Sequence, residues 1–393
     1  MALHGREWPR PFLIGMLVLF LPMIALAKEE NFGVSEKGKS PLRVAIYPVE
    51  NLSSSHAPLN DIRRILKEQL SGRGVEVLGE AALETFMARH RIRYAGGIDQ
   101  ATAMALRNEL RVDALLLTTL ELYNEVRPPK IALFARLITT GPSPSIVWAE
   151  GIGLSGDDAP GLLGLGLIED PGALMKKALN FLIGSLTRAL SAHTATERRE
   201  RSSRARFAPT IAYKAPFVEA DRTYKIAILP FLNRSNRKYA GEILALHFMR
   251  AFQRFDLFET VEPGMVRHQL LGLRVILEEG LSLAHADALF AALDADLLVH
   301  GRVMAYEDVQ GGGGNPRVDF STLLIERKSR KTVWASTSHN AGDDGVLLFD
   351  WGRLKCAHAL ASQMVQSIGE KIGGKGTSAK AIKIVRGLSK DSL

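Results

Sequence analysis

The chain has 393 residues, 46% hydrophobic and 23% charged, with a formal net charge of +8. That length suggests two or three domains, and that composition excludes a disordered or collagen-like chain. Aromatic residues make up only 7%, so the cores must be built from Leu, Ile, Val and Ala. The charge surplus sits in two stretches, net +3 over residues 193–206 and net +5 over residues 371–393. The rest is then close to neutral, which argues against a nucleic-acid binder, whose positive charge belongs on a folded face.

At the N-terminus, Arg6 and Arg10 precede an apolar run over residues 12–27, and Ala25-Leu26-Ala27 stands before Lys28-Glu29-Glu30. A basic start, an apolar middle and a small-x-small site make a secretory signal peptide over 1–27. The expected location is therefore the periplasm, with a mobile segment over 28–40. The alternative is an uncleaved inner-membrane anchor, but a 16-residue run interrupted by Pro22 is short for ~30 Å of hydrocarbon. No cysteine follows the cleavage site for lipid attachment. Cys356 is the sole cysteine, which excludes an intramolecular disulfide. It reads as a structural thiol on the flank of a helix, with an intermolecular bridge as the other reading.

The chain repeats itself. Arg43-Val-Ala-Ile-Tyr-Pro-Val-Glu-Asn51 matches Lys225-Ile-Ala-Ile-Leu-Pro-Phe-Leu-Asn233 at an offset of 182, and Asp113 matches Asp296 at 183. Tyr123 falls on Tyr306; Trp148 and Gly156-Asp157-Asp158 match Trp334 and Gly342-Asp343-Asp344 at 186. The drift of a few residues fits small loop insertions.

Each copy begins with a short aliphatic run that fits a buried strand, 44–49 and 226–231. A helix follows, with an apolar stripe of Ile62, Leu66 and Leu70 in one copy and Leu244, Phe248 and Phe252 in the other. Second strands are predicted at 75–78 and 257–261. One or two helices come next, with Asp99 and Ser282 as matched N-caps. Three strands follow: 114–122, 131–139 and 146–152 in the first copy, 297–306, 317–326 and 332–338 in the second. Closing helices are expected over 172–190 and 353–372. The fold class is α/β in the mixed α+β sense: two tandem copies of a mixed-sheet domain with helices packed on the sheet. The first domain spans 41–191 and the second 222–373. They are separated by a charged linker over 192–221 and followed by a basic disordered tail over 374–393.

The repeated Pro48-x-x-Asn51-x-Ser53 and Pro230-x-x-Asn233-x-Ser235 lies at the end of the first strand. Asn51, Ser53, Asn233 and Ser235 read either as an Asx turn handing strand to helix or as partner or ligand contacts at strand ends, where α/β proteins build sites. The repeated Gly-Asp-Asp reads as a turn or helix cap. Its rival is a hard-cation site on Asp157/Asp158 or Asp343/Asp344. Gly161-Leu-Leu-Gly-Leu-Gly166 lacks the Gly-Lys-Ser/Thr ending of a phosphate loop. Gly153-Leu-Ser155-Gly-Asp157 misses the nucleophile elbow by its last glycine. The ten histidines contain no zinc-binding spacing, and His300 reads as a packed or edge histidine. No catalytic residue, cofactor or metal is expected.

With the repeat laid out, Val44-Ala-Ile-Tyr-Pro-Val-Glu-Asn-Leu-Ser53 resembles the opening of the TolB amino-terminal domain and its relatives, among them the CsgG-like periplasmic domains. Ala295-Asp-Leu-Leu-Val-His-Gly301 and Thr332-Val-Trp334 fit that family's later strands; Val112-Asp113 and Val147-Trp148 fit them less closely. The resemblance implies a non-enzymatic envelope component that docks onto outer-membrane or cell-wall proteins. No β-propeller and no membrane hairpin accompany it. The expected function is a protein-binding adaptor or assembly factor of the periplasm. The alternatives are a small-ligand or carbohydrate-binding protein and a metal-dependent enzyme. The basic linker and tail are expected to touch anionic envelope surfaces weakly, in a salt-sensitive way.

Overall fold

Largely apolar runs form the long strands, with short strands of two or three residues beside them, and stretches with apolar residues at helical spacing form the helices that cover them. The computed structural model describes residues 41–159, 166–191, 206–217, 219, 222–277, 280–346 and 352–374. The signal peptide with its anchor alternative, the segment 28–40, most of the linker's arginine run and the tail beyond Gly374 lie outside the described residues.

The first half runs β1 (Arg43–Ile46), β2 (Glu50–Asn51), α1 (Leu59–Ser71), β3 (Glu76–Val77), α2 (Glu80–Arg89), α3 (Gln100–Leu110), β4 (Ala114–Asn124), β5 (Lys130–Thr139), β6 (Ile146–Ser155) and α4 (Pro171–Ser191). The second half runs β7 (Thr210–Lys214), β8 (Tyr224–Ile228), β9 (Leu232–Asn233), α5 (Ala240–Gln253), β10 (Phe258–Thr260), α6 (Pro263–Gly272), α7 (Leu283–Leu293), β11 (Leu297–Glu307), β12 (Arg317–Glu326), β13 (Lys331–Ala341) and α8 (Ala357–Gly373). The first sheet has the order β3-β1-β4-β5-β6 with β2 beside β4; the second has β10-β8-β11-β12-β13-β7 with β9 beside β11. In both, three parallel strands lead into an antiparallel meander. The structure therefore holds two mixed sheets built in the same order, each with helices packed on it.

Matched residues do matched work. Asp99 Oδ1 accepts from Thr102 N at 2.7 Å, and Ser282 Oγ from His285 N at 3.2 Å, so both N-caps form. Asp113 and Asp296 anchor the first strand of their half by accepting from Arg43 N at 3.0 Å and Lys225 N at 2.9 Å. In the Gly-Asp-Asp turns, Asp158 accepts from Ser155 N at 2.8 Å and Asp344 from Ala341 N at 2.9 Å. Glycine is required there because a Cβ on Gly156 would lie 2.1 Å from Ile168 O, and one on Gly342 2.2 Å from Leu354 O.

One expectation needs correction. The segment read as a charged linker, 192–221, contains strand β7, which pairs with β13 at the edge of the second sheet. All five of its residues are exposed, so it lacks the core-facing alternation that marks other strands, and the neighbouring arginines obscured it.

The halves are layered rather than side by side. Helices α1 and α4 cover one face of the first sheet with Ile62, Leu66, Leu174, Leu179 and Leu182. The equivalent pair, α5 and α8, packs on the second sheet through Leu244, Phe248, Leu360 and Met364. It also contacts β6 of the first sheet. This dual role explains the composition of α5, which buries eleven of its fourteen residues, where α1 buries four of thirteen. A helix apolar all round belongs inside a protein. The strands agree: β4 is buried at its first nine positions, as a sheet covered on both faces requires, whereas β11 alternates at His300, Arg302 and Met304.

Helix α8 approaches the first sheet over glycines of β6. A Cβ on Gly153 would lie 2.7 Å from Cys356 Sγ and 2.8 Å from His358 Cβ. Gly153→Ala is expected to destabilise by about 1–3 kcal/mol through overpacking, read as a lowered urea midpoint with an unchanged m-value. An unchanged midpoint would mean that the seam yields freely.

Candidate functional site

Strands β4 and β5 are largely apolar, and the few ionisable residues buried in them meet residues of the second half. Glu121 sits in β4, Arg136 in β5, His247 in α5, Tyr306 in β11 and His358 in α8. Each is essentially without solvent exposure. The fold brings them into two buried polar clusters on the seam between the halves.

In the first cluster, His358 Nδ1 stands 2.5 Å from Glu121 Oε2. The Tyr306 hydroxyl donates to Glu121 Oε1. His247 Nε2 lies 3.2 Å from the Tyr306 hydroxyl and 3.8 Å from Glu121 Oε2. His247 Nδ1 is buried without a hydrogen-bond partner. Phe134 of β5 presses its ring on both imidazoles, with centroids 4.8 Å away in each case. The Arg237 guanidinium donates to the main-chain oxygen of Glu121. Burial opposes the Glu121 charge, but His358, His247 and the Tyr306 hydroxyl outweigh it and hold the carboxyl down at about 2. Burial and the nearby His358 push His247 well below the usual histidine range, against the pull of Glu121. Burial and Glu121 keep Tyr306 a phenol. Among the described residues, Glu121, His247 and His358 are the group whose donor atoms could hold a metal ion, all lying within 4.8 Å of one another.

In the second cluster, Arg136 Nε and Nη2 donate to Glu262 Oε2 and Oε1 at 3.0 and 2.9 Å, a bidentate pair, and Nη2 also donates to Gly96 O at 2.6 Å. Glu262 is the N-cap of α6 and accepts from Gly264 N. Burial disfavours the guanidinium charge, and Glu262 more than restores it. Nearby Glu50 is raised, chiefly by burial. Further links cross the seam: Arg250 with Glu150, Lys355 with Asp157 at 2.9 Å, and Lys130 with Val309 O at 2.6 Å.

The residues singled out from the sequence lie elsewhere. Asn51 Oδ1 accepts from Ser53 N at 3.0 Å and Ser53 Oγ at 2.6 Å, and its Nδ2 donates to Ser55 O at 2.9 Å. Asn233 does the same with Ser235 N at 3.0 Å, Ser235 Oγ at 2.7 Å and Arg237 O at 2.6 Å. These side chains form two copies of one Asx turn. Asp158 and Asp344 serve turns and Asp157 meets Lys355. Cys356 is buried, and burial raises its thiol well above the usual range, which suits an inert structural role. His300 is half-buried in β11, and burial lowers it to about 4.

The seam residues carried no local motif, because each comes from a different element. A signal was nonetheless present: one glutamate in Ala-Leu-Leu-Leu-Thr-Thr-Leu-Glu121-Leu, one arginine in Leu-Phe-Ala-Arg136-Leu-Ile, and one histidine in Leu-Ala-Leu-His247-Phe-Met. An ionisable residue inside a fully buried run must have a partner.

No protein-family model and no curated protein matches the sequence. Among solved structures, the chain is similar to the PelC dodecamer from Paraburkholderia phytofirmans at 13% identity, covering 42% of this chain and 96% of that one with a TM-score of 0.30. It is similar to lipoprotein GNA1162 from Neisseria meningitidis at 19% identity, covering 37% and 99% with a TM-score of 0.28. The LpoB C-terminal domain from Escherichia coli matches at 12% identity, covering 32% and 87% with a TM-score of 0.22. Among the described residues, no helix is long and apolar enough to cross a membrane.

Two predictions follow from the seam and from His300. Removing one partner of a buried ion pair leaves the other charge uncompensated and costs about 3–5 kcal/mol. Arg136→Met and Glu262→Gln should each destabilise by that order, and the double variant by clearly less than their sum. Additive losses in a urea double-mutant cycle would mean no coupling. His300, held neutral when folded, takes up its proton only on unfolding between its folded value of about 4 and the usual 6.5. The unfolded chain binds more protons there, so this contribution is present above 6.5 and lost as pH falls through that window. His300→Leu, the residue β4 carries at Leu117, should make the fall in urea midpoint across the window shallower. A slope identical to the parent's would refute this.

Proposed function

We propose that the chain is a non-enzymatic, exported envelope protein that binds other proteins as an adaptor or assembly factor, built from two TolB amino-terminal-like units. The carrying observation is the open face of the second sheet. In the first sheet, Glu121 and Phe134 on the face that corresponds to it meet His247 and His358 of the helix pair α5 and α8, and Arg136 beside them meets Glu262 at the start of α6. In the second sheet the matching face bears His300 and Arg302 on β11, in register with Leu323 and Ser321 on β12 and Ala335 and Thr337 on β13, then Met304 at the β11 bulge and the pair Asp319 and His339. Helices α6 and α7 cover the β8 end of that face and extend to Leu298 at the start of β11 and Ile325 at the end of β12. Met304 is 54% exposed and Tyr213, on the adjoining edge strand, 52%. Apolar side chains among charged ones, on a rigid sheet, make a surface suited to a protein partner. Export rests on the basic, apolar and small-residue pattern of the first 27 residues. The small-ligand reading has less support, because the carboxamides of Asn51 and Asn233 are spent on their turns.

A photo-crosslinking side chain placed at Met304 in living cells should give discrete adducts with one or a few envelope proteins. The same probe at Arg64, on the outer face of α1, should not, and Arg302→Glu should abolish the Met304 adducts. Equal adducts at both positions, or none at Met304 in cells where the protein is abundant, would overturn the adaptor reading.

A further inference from the structure

We propose that Glu121, His247 and His358 form a structural site for one divalent transition-metal ion of the zinc class, which fastens the two halves of the chain together. Both imidazoles converge on the same carboxylate oxygen: Glu121 Oε2 lies 2.5 Å from His358 Nδ1 and 3.8 Å from His247 Nε2. The other oxygen, Oε1, is held by the Tyr306 hydroxyl. Two imidazoles and a carboxylate are a zinc donor set, and a carboxylate fixed by a further hydrogen bond is the usual outer arrangement of such sites. Bond lengths of ~2.0–2.2 Å put the donors of a tetrahedral zinc about 3.3 Å apart. The two imidazole nitrogens stand 2.5 and 3.8 Å from Glu121 Oε2, on either side of that spacing, and all three donors lie within 4.8 Å of one another, so side-chain movements of about 1 Å bring them to a metal. The Tyr306 hydroxyl stays outside the donor set, as the hydrogen-bond partner that orients the Glu121 carboxylate.

The cluster also lacks something that an ion would provide. Among the described residues, no lysine or arginine side chain hydrogen-bonds the Glu121 carboxylate. Arg237 reaches only its main-chain oxygen. His247 is fully buried, yet the hydrogen bond of its Nε2 is a single 3.2 Å contact with a phenol. Metal ions bind neutral imidazole and ionised carboxylate, so loading the site releases a proton. On loading, the ion displaces the proton between His358 Nδ1 and Glu121 Oε2, and that proton leaves to solvent. The donors come from β4, α5 and α8, so the site is complete only when the halves have docked. Met304 takes the place of Glu121 in the second half, two residues before the matched tyrosine, so the site is built once.

The test uses the full chain, purified without chelator from cells grown with zinc. Plasma mass spectrometry should read about one zinc per chain, and X-ray absorption should read two imidazoles in its first shell. Unfolding and refolding with a strong chelator should lower Tm, and refolding with zinc should restore it. His247→Gln and His358→Gln should each weaken zinc binding by at least about 100-fold, the upper range for loss of an outer-shell partner. His339→Gln, at the surface, should leave binding unchanged. A chain that takes up no zinc on refolding, or zinc whose shell lacks imidazole, overturns the proposal. So does stoichiometric zinc retained by both histidine variants. The absorption measurement is made on the unaltered protein, so a variant that fails to fold leaves the question decided.

Discussion

Everything else in this molecule depends on the helix pair α5 and α8 having two sheets to cover at once. A helix with a single apolar stripe solves one packing problem, and α1 does so with Ile62, Leu66 and Leu70. Helix α5 carries that stripe in Leu244, Phe248 and Phe252, and buries further residues around it, Ile243, Leu246 and Met249 among them. At roughly 1.5–3 kcal/mol per large aliphatic side chain taken out of water, leaving that second surface exposed would be untenable. The first sheet has the complementary need, because β4 and β5 are apolar on both faces. The halves are bound by the same force that forms each of them, and residues of both share one continuous core.

An apolar seam would be adhesive but undiscriminating, and the buried polar groups give it a register. Arg136 can meet Glu262 bidentately in one alignment only, and Glu121 can reach His358 and Tyr306 together in one alignment only. A slip that separated either set would strand charge in a low-dielectric interior, where breaking a pair is far more costly than the pair's net worth. The glycines of β6 act with them: at Gly151 and Gly153 the absent side chains let the α8 histidine lie against the strand. Polar matching and close approach together select one docking geometry from the many that hydrophobicity alone would accept.

Much of this was legible in the sequence, because the governing signals are local. The strand runs, the four-residue steps of the helices, the caps at Asp99 and Ser282 and the repeated turns at Asn51 and Asn233 all depend on near neighbours in the chain. The continuous apolar run of β4 against the alternation in β11, and the all-round apolarity of α5 against α1, carried the layering as well, but reading the two copies as equivalents passed over it. Two things escaped a local reading. Strand β7 has no core-facing residues, so nothing in Thr-Ile-Ala-Tyr-Lys sets it apart from the linker around it. The seam clusters draw single residues from four or five elements, and only the tertiary fold makes neighbours of Glu121 and His358, 237 positions apart.

The layering also constrains what the open face of the second sheet can receive. A second copy cannot dock there as α5 and α8 dock on the first sheet. The outward face of α1 and α4 carries Arg64, Glu68, Lys176, Lys177 and Asn180, a solvated surface of the kind that caps a stack rather than extends it. The open face in turn carries Arg302 where the first sheet has Thr119, and Leu323 where it has Arg136, so it cannot reproduce the ion pair that sets the internal seam. A head-to-tail contact that repeated without closing would lead to fibres, and this chemistry disfavours one at both ends. Under the adaptor reading, a partner at Met304, Leu323 and Tyr213 would differ from the chain's own helices. Such a partner would bring apolar groups to those three side chains and acidic ones to Arg302.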